Sequence, residues 1–146
     1  MEGSHYLIVA GCLSIVAALL HIAIIFGGPE WYRFFGAGEA MAQSAASGSI
    51  RPVIITFGIA TLLTLWGFYA LSAAGVLAPF PFLKVAIVLI TGVYLLRGIV
   101  GLVLPFISKH PAIAQNSITF WLVSSTICCV FGIVHLIGLI NRWEHL

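Results

Sequence analysis

Hydrophobic positions in this chain fall into four long unbroken runs. Residues 6–26, 52–74, 83–105 and 117–140 are continuously apolar, each at or slightly above the ~20 residues that carry a helix across a ~30 Å hydrocarbon layer. Formal charge inside them is confined to Arg97 and, near one end, Lys84. The runs do not alternate, which argues against the strands of a β-barrel. The pattern predicts an all-α fold: a four-transmembrane-helix up-down bundle with both termini on one side, a single integral membrane domain over residues 1–146. The first run lacks a basic leader and a small-residue cleavage site, so it is read as a helix of the bundle rather than a signal peptide.

The connections differ in length. "APFPF" (78–82) and "PFISKHPAIAQN" (105–116) are short and bounded by prolines, which cannot continue a helix. The first connection, residues 27–51, is about twice as long as either. Its middle has helical spacing, with Trp31, Phe34, Phe35 and Ala42 set against Arg33, Glu39 and Gln43. That pattern predicts one short interfacial helix within 30–46, its aromatic side in the headgroup region. Pro52 then restarts the chain at a permitted first-turn position. A faint internal similarity links "LLHIAIIFGGP" (19–29) with "LLRGIVGLVLP" (95–105): a Leu pair, a polar residue and a proline eight positions later. Read as a duplicated hairpin, it sets His21 and Arg97 at matching depths.

Composition strengthens the membrane reading. With 62% hydrophobic and 7% charged residues and a mean hydropathy of +1.18, the chain would associate in water. A net charge of +2, scattered along the chain, excludes a nucleic-acid partner. Cys12, Cys128 and Cys129 all fall in apolar runs and form no C-x-x-C pair, so they read as small packing residues. Aspartate is absent, and no Ser-His-Asp, H-E-x-x-H, P-loop or dinucleotide-binding spacing occurs. The reading therefore leans away from an enzyme and assigns no catalytic residue, metal or cofactor.

Depth arithmetic places the polar residues that remain. At roughly 1.5 Å per residue, His21 and Arg97 lie roughly 8 and 12 Å below the side that carries the long loop, while His135 and Tyr69 lie at roughly 27 and 26 Å. Axial nitrogens sit about 2 Å from a haem iron, so a haem held by His21 and His135 of one chain is excluded. Gly11, Ser14, Ala18 and His21 share one stripe, and Ser124, Cys128, Gly132 and His135 another. Small residues mark close helix approach, so both stripes are expected to face the bundle.

An arginine at mid-span costs roughly 2.5–3.5 kcal/mol by insertion estimates unless it finds a partner. No apolar run contains an acid. The expected cluster is therefore His21, Arg97, Glu39, Glu30 and Tyr94, with the loop folded back so that Glu39, or failing that Glu30, pairs with Arg97. The competing reading has Arg97 snorkelling to lipid phosphate while both glutamates stay solvated. A second polar pair, His135 with Tyr69, is expected near the far surface.

Length, four runs and the segment "WYRFFGAGEAMA" (31–42), an aromatic-Arg-apolar stretch meeting glycines just after the first run, resemble the small bacterial four-helix inner-membrane proteins of the DoxX-like kind. The resemblance implies a fold and a compartment, a multi-pass protein of the bacterial inner membrane, without implying a reaction. Proton-coupled four-helix exporters differ by their membrane-embedded carboxylate. The first expectation is a non-enzymatic membrane module, an accessory or assembly subunit or a binder of lipid or another apolar ligand, whose partners are the bilayer and a membrane protein or second copy of the chain. The alternative is a small oligomeric transporter or channel with a His21/Arg97/Glu39 polar gate. A tetrapyrrole or quinone site near His21 or His135 ranks last.

Overall fold

The computed structural model describes residues 2–146. Seven α-helices follow in chain order: α1 (Glu2–Gly27), α2 (Pro29–Phe34), α3 (Glu39–Ala46), α4 (Arg51–Ala73), α5 (Leu83–Ile107), α6 (Pro111–Ala114) and α7 (Ile118–Arg142), with a closing 3₁₀ turn at Trp143–His145. Four of them, α1, α4, α5 and α7, are long and apolar enough to cross a membrane. Even the shortest, α4 with 23 residues, is about 35 Å long, more than a ~30 Å hydrocarbon layer requires.

Local chemistry sets the boundaries. α1 stops where Gly28 takes φ 71°, and Pro29 opens α2 at a position whose missing N–H costs nothing. Pro52 does the same for α4. The Ser117 hydroxyl caps α7, accepting from the Phe120 N–H at 3.1 Å. Pro105 lies inside the last turn of α5, whereas Pro29, its counterpart in the internal similarity, begins a new helix. The two prolines thus do different work.

The long helices pack as an antiparallel ring, α1 beside α4, α4 beside α5, α5 beside α7 and α7 beside α1, with α4–α5 the slenderest contact. α1 and α5 face each other diagonally, as do α4 and α7. One end of the bundle joins the start of α1, the end of α4 and the end of α7: the Ser4 hydroxyl donates to the Ala74 carbonyl at 3.1 Å and accepts from Arg142 Nη1 at 2.6 Å. At the other end the α2–α3 segment leans on the α6–α7 connection, with Gly36 against the Phe120 ring and Gly38 near Gln115.

Small residues fill much of the interior, around a few large ones such as Leu7, Ile87 and Tyr94. Ala10, Ser14, Ala18, Ala60, Ala70, Ala73 and Ser125 are buried, while Leu19, Leu96 and Ile140 are each more than 60% exposed. Gly11 and Gly67 bring α1 and α4 so close that a side chain on either would meet the other's carbonyl oxygen. Where one interfacial helix was expected in the first connection, there are two. Gly36 and Gly38, at φ 77° and 94°, break the segment between Phe35 and Glu39 and reverse it.

Candidate functional site

The loop-side polar residues divide into two separate groups. On α2, Arg33 donates from Nη1 to Glu30 at 2.6 Å and from Nε and Nη2 to the two oxygens of Glu39 at 2.8 and 2.9 Å. Glu39, in the first turn of α3, receives the two-pronged bond because the Gly36–Gly38 reversal returns the chain onto α2. Beside Arg33 its carboxyl titrates below the ordinary carboxylate range, and the guanidinium moves further above its own. All three side chains are solvent-facing. Beneath them Tyr32 is buried, its hydroxyl accepting from Thr56 of α4 at 3.3 Å, so the aromatic segment is pinned to the bundle.

This corrects the expected pairing of Arg97. Neither Glu39 nor Glu30 reaches it, since both are held by an arginine three and six residues away in sequence, a local pair with little chain to order. Arg97 instead donates from Nη1 to the Ser125 hydroxyl at 3.0 Å and from Nη2 to the Ser124 hydroxyl at 3.3 Å. Its guanidinium carbon lies 5.0 Å from the centroid of the Trp121 ring. Gly101, one turn further along α5, leaves the space into which this fork extends, because a side chain there would strike both Arg97 and Ser125. Among the described residues Arg97 makes no ion pair. The result is a half-buried cation held by two neutral hydroxyls and an aromatic face.

His21 also stands apart from both glutamates. Its Nδ1 lies 2.7 Å from the Ala17 carbonyl of its own helix, and no hydrogen bond joins it to Arg97 or Glu39. The His21/Arg97/Glu39 gate is not assembled.

Tyr94 belongs deeper in the bundle. Its hydroxyl pairs with Ser14 of α1 at 2.9 Å, and its ring meets Trp66, Phe131 and His135 at centroid distances of 5.1, 5.5 and 5.2 Å. His135 faces the interior, fully enclosed, as its stripe implies. The expected bond to Tyr69 is replaced by one from Nδ1 to the Phe131 carbonyl at 2.8 Å, while the Tyr69 hydroxyl donates to the Pro81 carbonyl at 3.4 Å. Matching depth was not sufficient for that pair, because Tyr69 is turned to the α4–α5 connection, its ring edge-on to Phe80 at 5.2 Å and its hydroxyl on the Pro81 carbonyl.

Ser124, Ser125 and Trp121 are the residues that sequence reasoning did not assign to Arg97. The signal was present for Ser124. It lies seven positions into its run, roughly 10 Å deep from the same side as Arg97, and on the small-residue stripe. No protein-family model matches this chain, and no curated protein or solved structure matches it either.

Proposed function

We propose that this chain is a multi-pass module of a cell membrane, the bacterial inner membrane on the DoxX-like resemblance, that binds an anionic amphiphile such as a phospholipid through Arg97. It holds its ligand rather than transforming it. The carrying observation is the uncompensated guanidinium: two serine hydroxyls and the Trp121 face occupy part of its fork, and the nearby carboxylates are committed to Arg33. A charge held among apolar helices in this way is stabilised by an anion that supplies paired oxygens, and a phosphate does so. Such a ligand has its own apolar tail to lie along the exposed Leu, Ile and Val side chains of the bundle.

The test is native mass spectrometry of the full chain released from detergent containing phosphatidylglycerol or, as a headgroup-free control, diacylglycerol. Retained phosphatidylglycerol is expected on the unaltered chain. Arg97→Gln should lower retention by about tenfold to a hundredfold, since a charge-assisted hydrogen bond is worth about 1.5–3 kcal/mol. Arg97→Lys, which keeps the charge and loses the fork, should fall between. Equal retention by Arg97→Gln and the unaltered chain, or of the two lipids, would overturn the reading.

A further inference from the structure

We propose that the aromatic cleft on α2 binds a zwitterionic phospholipid headgroup, its ammonium between the rings and Glu30 and its phosphate on Arg33. The inference rests on the membrane reading above but not on Arg97, which lies in the α5–α7 contact.

Glu30, Trp31, Arg33, Phe34 and Phe35 line an open cleft of about 670 Å³, within the size range of small-ligand sites. Its rings are held in mutual contact: Phe35 lies 5.7 Å from Trp31 and 5.0 Å from Phe34 between centroids, the second pair edge to face. Gly27 fixes one wall, since a side chain there would overlap the Trp31 indole. The buried Tyr32 pins α2 to α4 through Thr56. The walls are therefore in place before a ligand arrives, which lowers the ordering cost of binding.

Charge selects the occupant. Glu30 and Glu39 against Arg33 leave the cluster one net negative charge. Glu30 gives only Oε1 to Arg33, and its side chain is 81% exposed, so Oε2 stays available as an acceptor. A carboxylate beside aromatic rings attracts an ammonium. Arg33 spends three of its five donors on the two glutamates, and two N–H groups remain for phosphate oxygens. An ammonium alone leaves those donors unused, and a phosphate alone meets the net negative charge; a headgroup that carries both satisfies both. Position favours a lipid over a soluble amine. Pro29 opens α2 two residues after Gly27 ends α1, a helix of membrane-crossing length, so the cleft lies at the level of the headgroups. Phe34 is 83% exposed, and the glycerol and acyl part of a lipid covers that ring where a free amine leaves it bare.

Proton–nitrogen NMR of the full chain in a nonionic detergent, titrated with dihexanoyl-phosphatidylethanolamine, tests this through the Trp31 indole N–H. A saturable shift is expected. Dihexanoyl-phosphatidylglycerol, which lacks the ammonium, and free ethanolamine, which lacks the phosphate and tails, should each bind about tenfold more weakly. Glu30→Gln should weaken phosphatidylethanolamine binding by about tenfold and Phe34→Leu severalfold. Both side chains are exposed, so neither change disturbs the packed core. Arg97→Gln should leave the Trp31 shift unchanged, so this site and the one at Arg97 stand or fall separately. No saturable shift, equal binding of the two lipids, or unaltered binding by Glu30→Gln would each overturn the site. Ethanolamine binding as tightly as the lipid would overturn the lipid as its occupant.

Discussion

Arg33 and Arg97 carry the same charge under opposite conditions. Arg33 is in water, where its two glutamates are screened and each pair contributes little. Arg97 lies among apolar helices, where hydroxyls and a ring face are its partners. It follows that Arg97→Leu and Glu39→Gln should act additively on thermal unfolding in one detergent, because the two residues share no partner. Arg33→Gln and Glu39→Gln should be non-additive, the double change costing less than the sum. Four-variant unfolding cycles for each pair check this, and coupling between Arg97 and Glu39 would contradict the geometry. Acid should act on the same group. Glu39 titrates lower in the folded chain than when free, so its contribution is present above the ordinary carboxylate range and is lost as the pH falls through its depressed value. The Arg33 Nε–H resonance should shift and broaden over that window, and less so in Glu39→Gln.

At the scale of elements, the small residues decide which helices can approach. Gly98 and Gly101 of α5 sit against Ser125 and Cys129 of α7, and Gly132 of α7 against Leu95 of α5. This crossing brings Ser124 and Ser125 within reach of Arg97. Gly101→Ala should therefore do two things together: destabilise by about 1–3 kcal/mol through overpacking and weaken lipid retention by displacing the Arg97 fork. Gly92→Ala, on the same helix with open space around it, should do neither. Unfolding and lipid retention measured on both variants separate the effects. The same level shows what was legible beforehand. The four long helices and the inward stripes follow from uninterrupted apolar runs and small-residue spacing, and both are present. The break in the first connection was hidden because its aromatic spacing fits one helix as well as two. The pairings were hidden for a different reason: depth along a helix can be counted from sequence, but the direction a side chain takes, as Tyr69 does toward Phe80 and Pro81, cannot. Tyr69 and His135 matched in depth and did not meet, whereas Ser124 and Arg97 matched in depth and did.

Across the whole molecule most large apolar side chains lie outside, while alanine, serine and glycine line the helix contacts around a few buried large residues such as Leu7, Ile87 and Tyr94, a distribution that water would not select. The two ends of the bundle are also distinct. One holds the α2–α3 reversal and the α6 connection, with Arg33, Arg51 and Lys109; the other holds the α4–α5 turn and the end of α7, with Lys84 stacked 4.4 Å from the Trp143 ring and Arg142 tied to Ser4. Three basic residues against two leave the positive-inside rule without a preference, so the orientation itself is open to measurement. What the antiparallel ring does require is sidedness. In a chain with Cys12, Cys128 and Cys129 replaced by serine or alanine, Ser47→Cys and Lys109→Cys should react with a membrane-impermeant maleimide from one face of sealed vesicles. Pro79→Cys and Glu144→Cys should react from the opposite face. All four positions are exposed in the fold, so accessibility within the protein does not limit the reaction. Labelling of Ser47→Cys and Pro79→Cys from the same face would mean that α4 does not cross. Arg97 would then lose its place below a membrane surface, and the lipid-binding reading would fall with it.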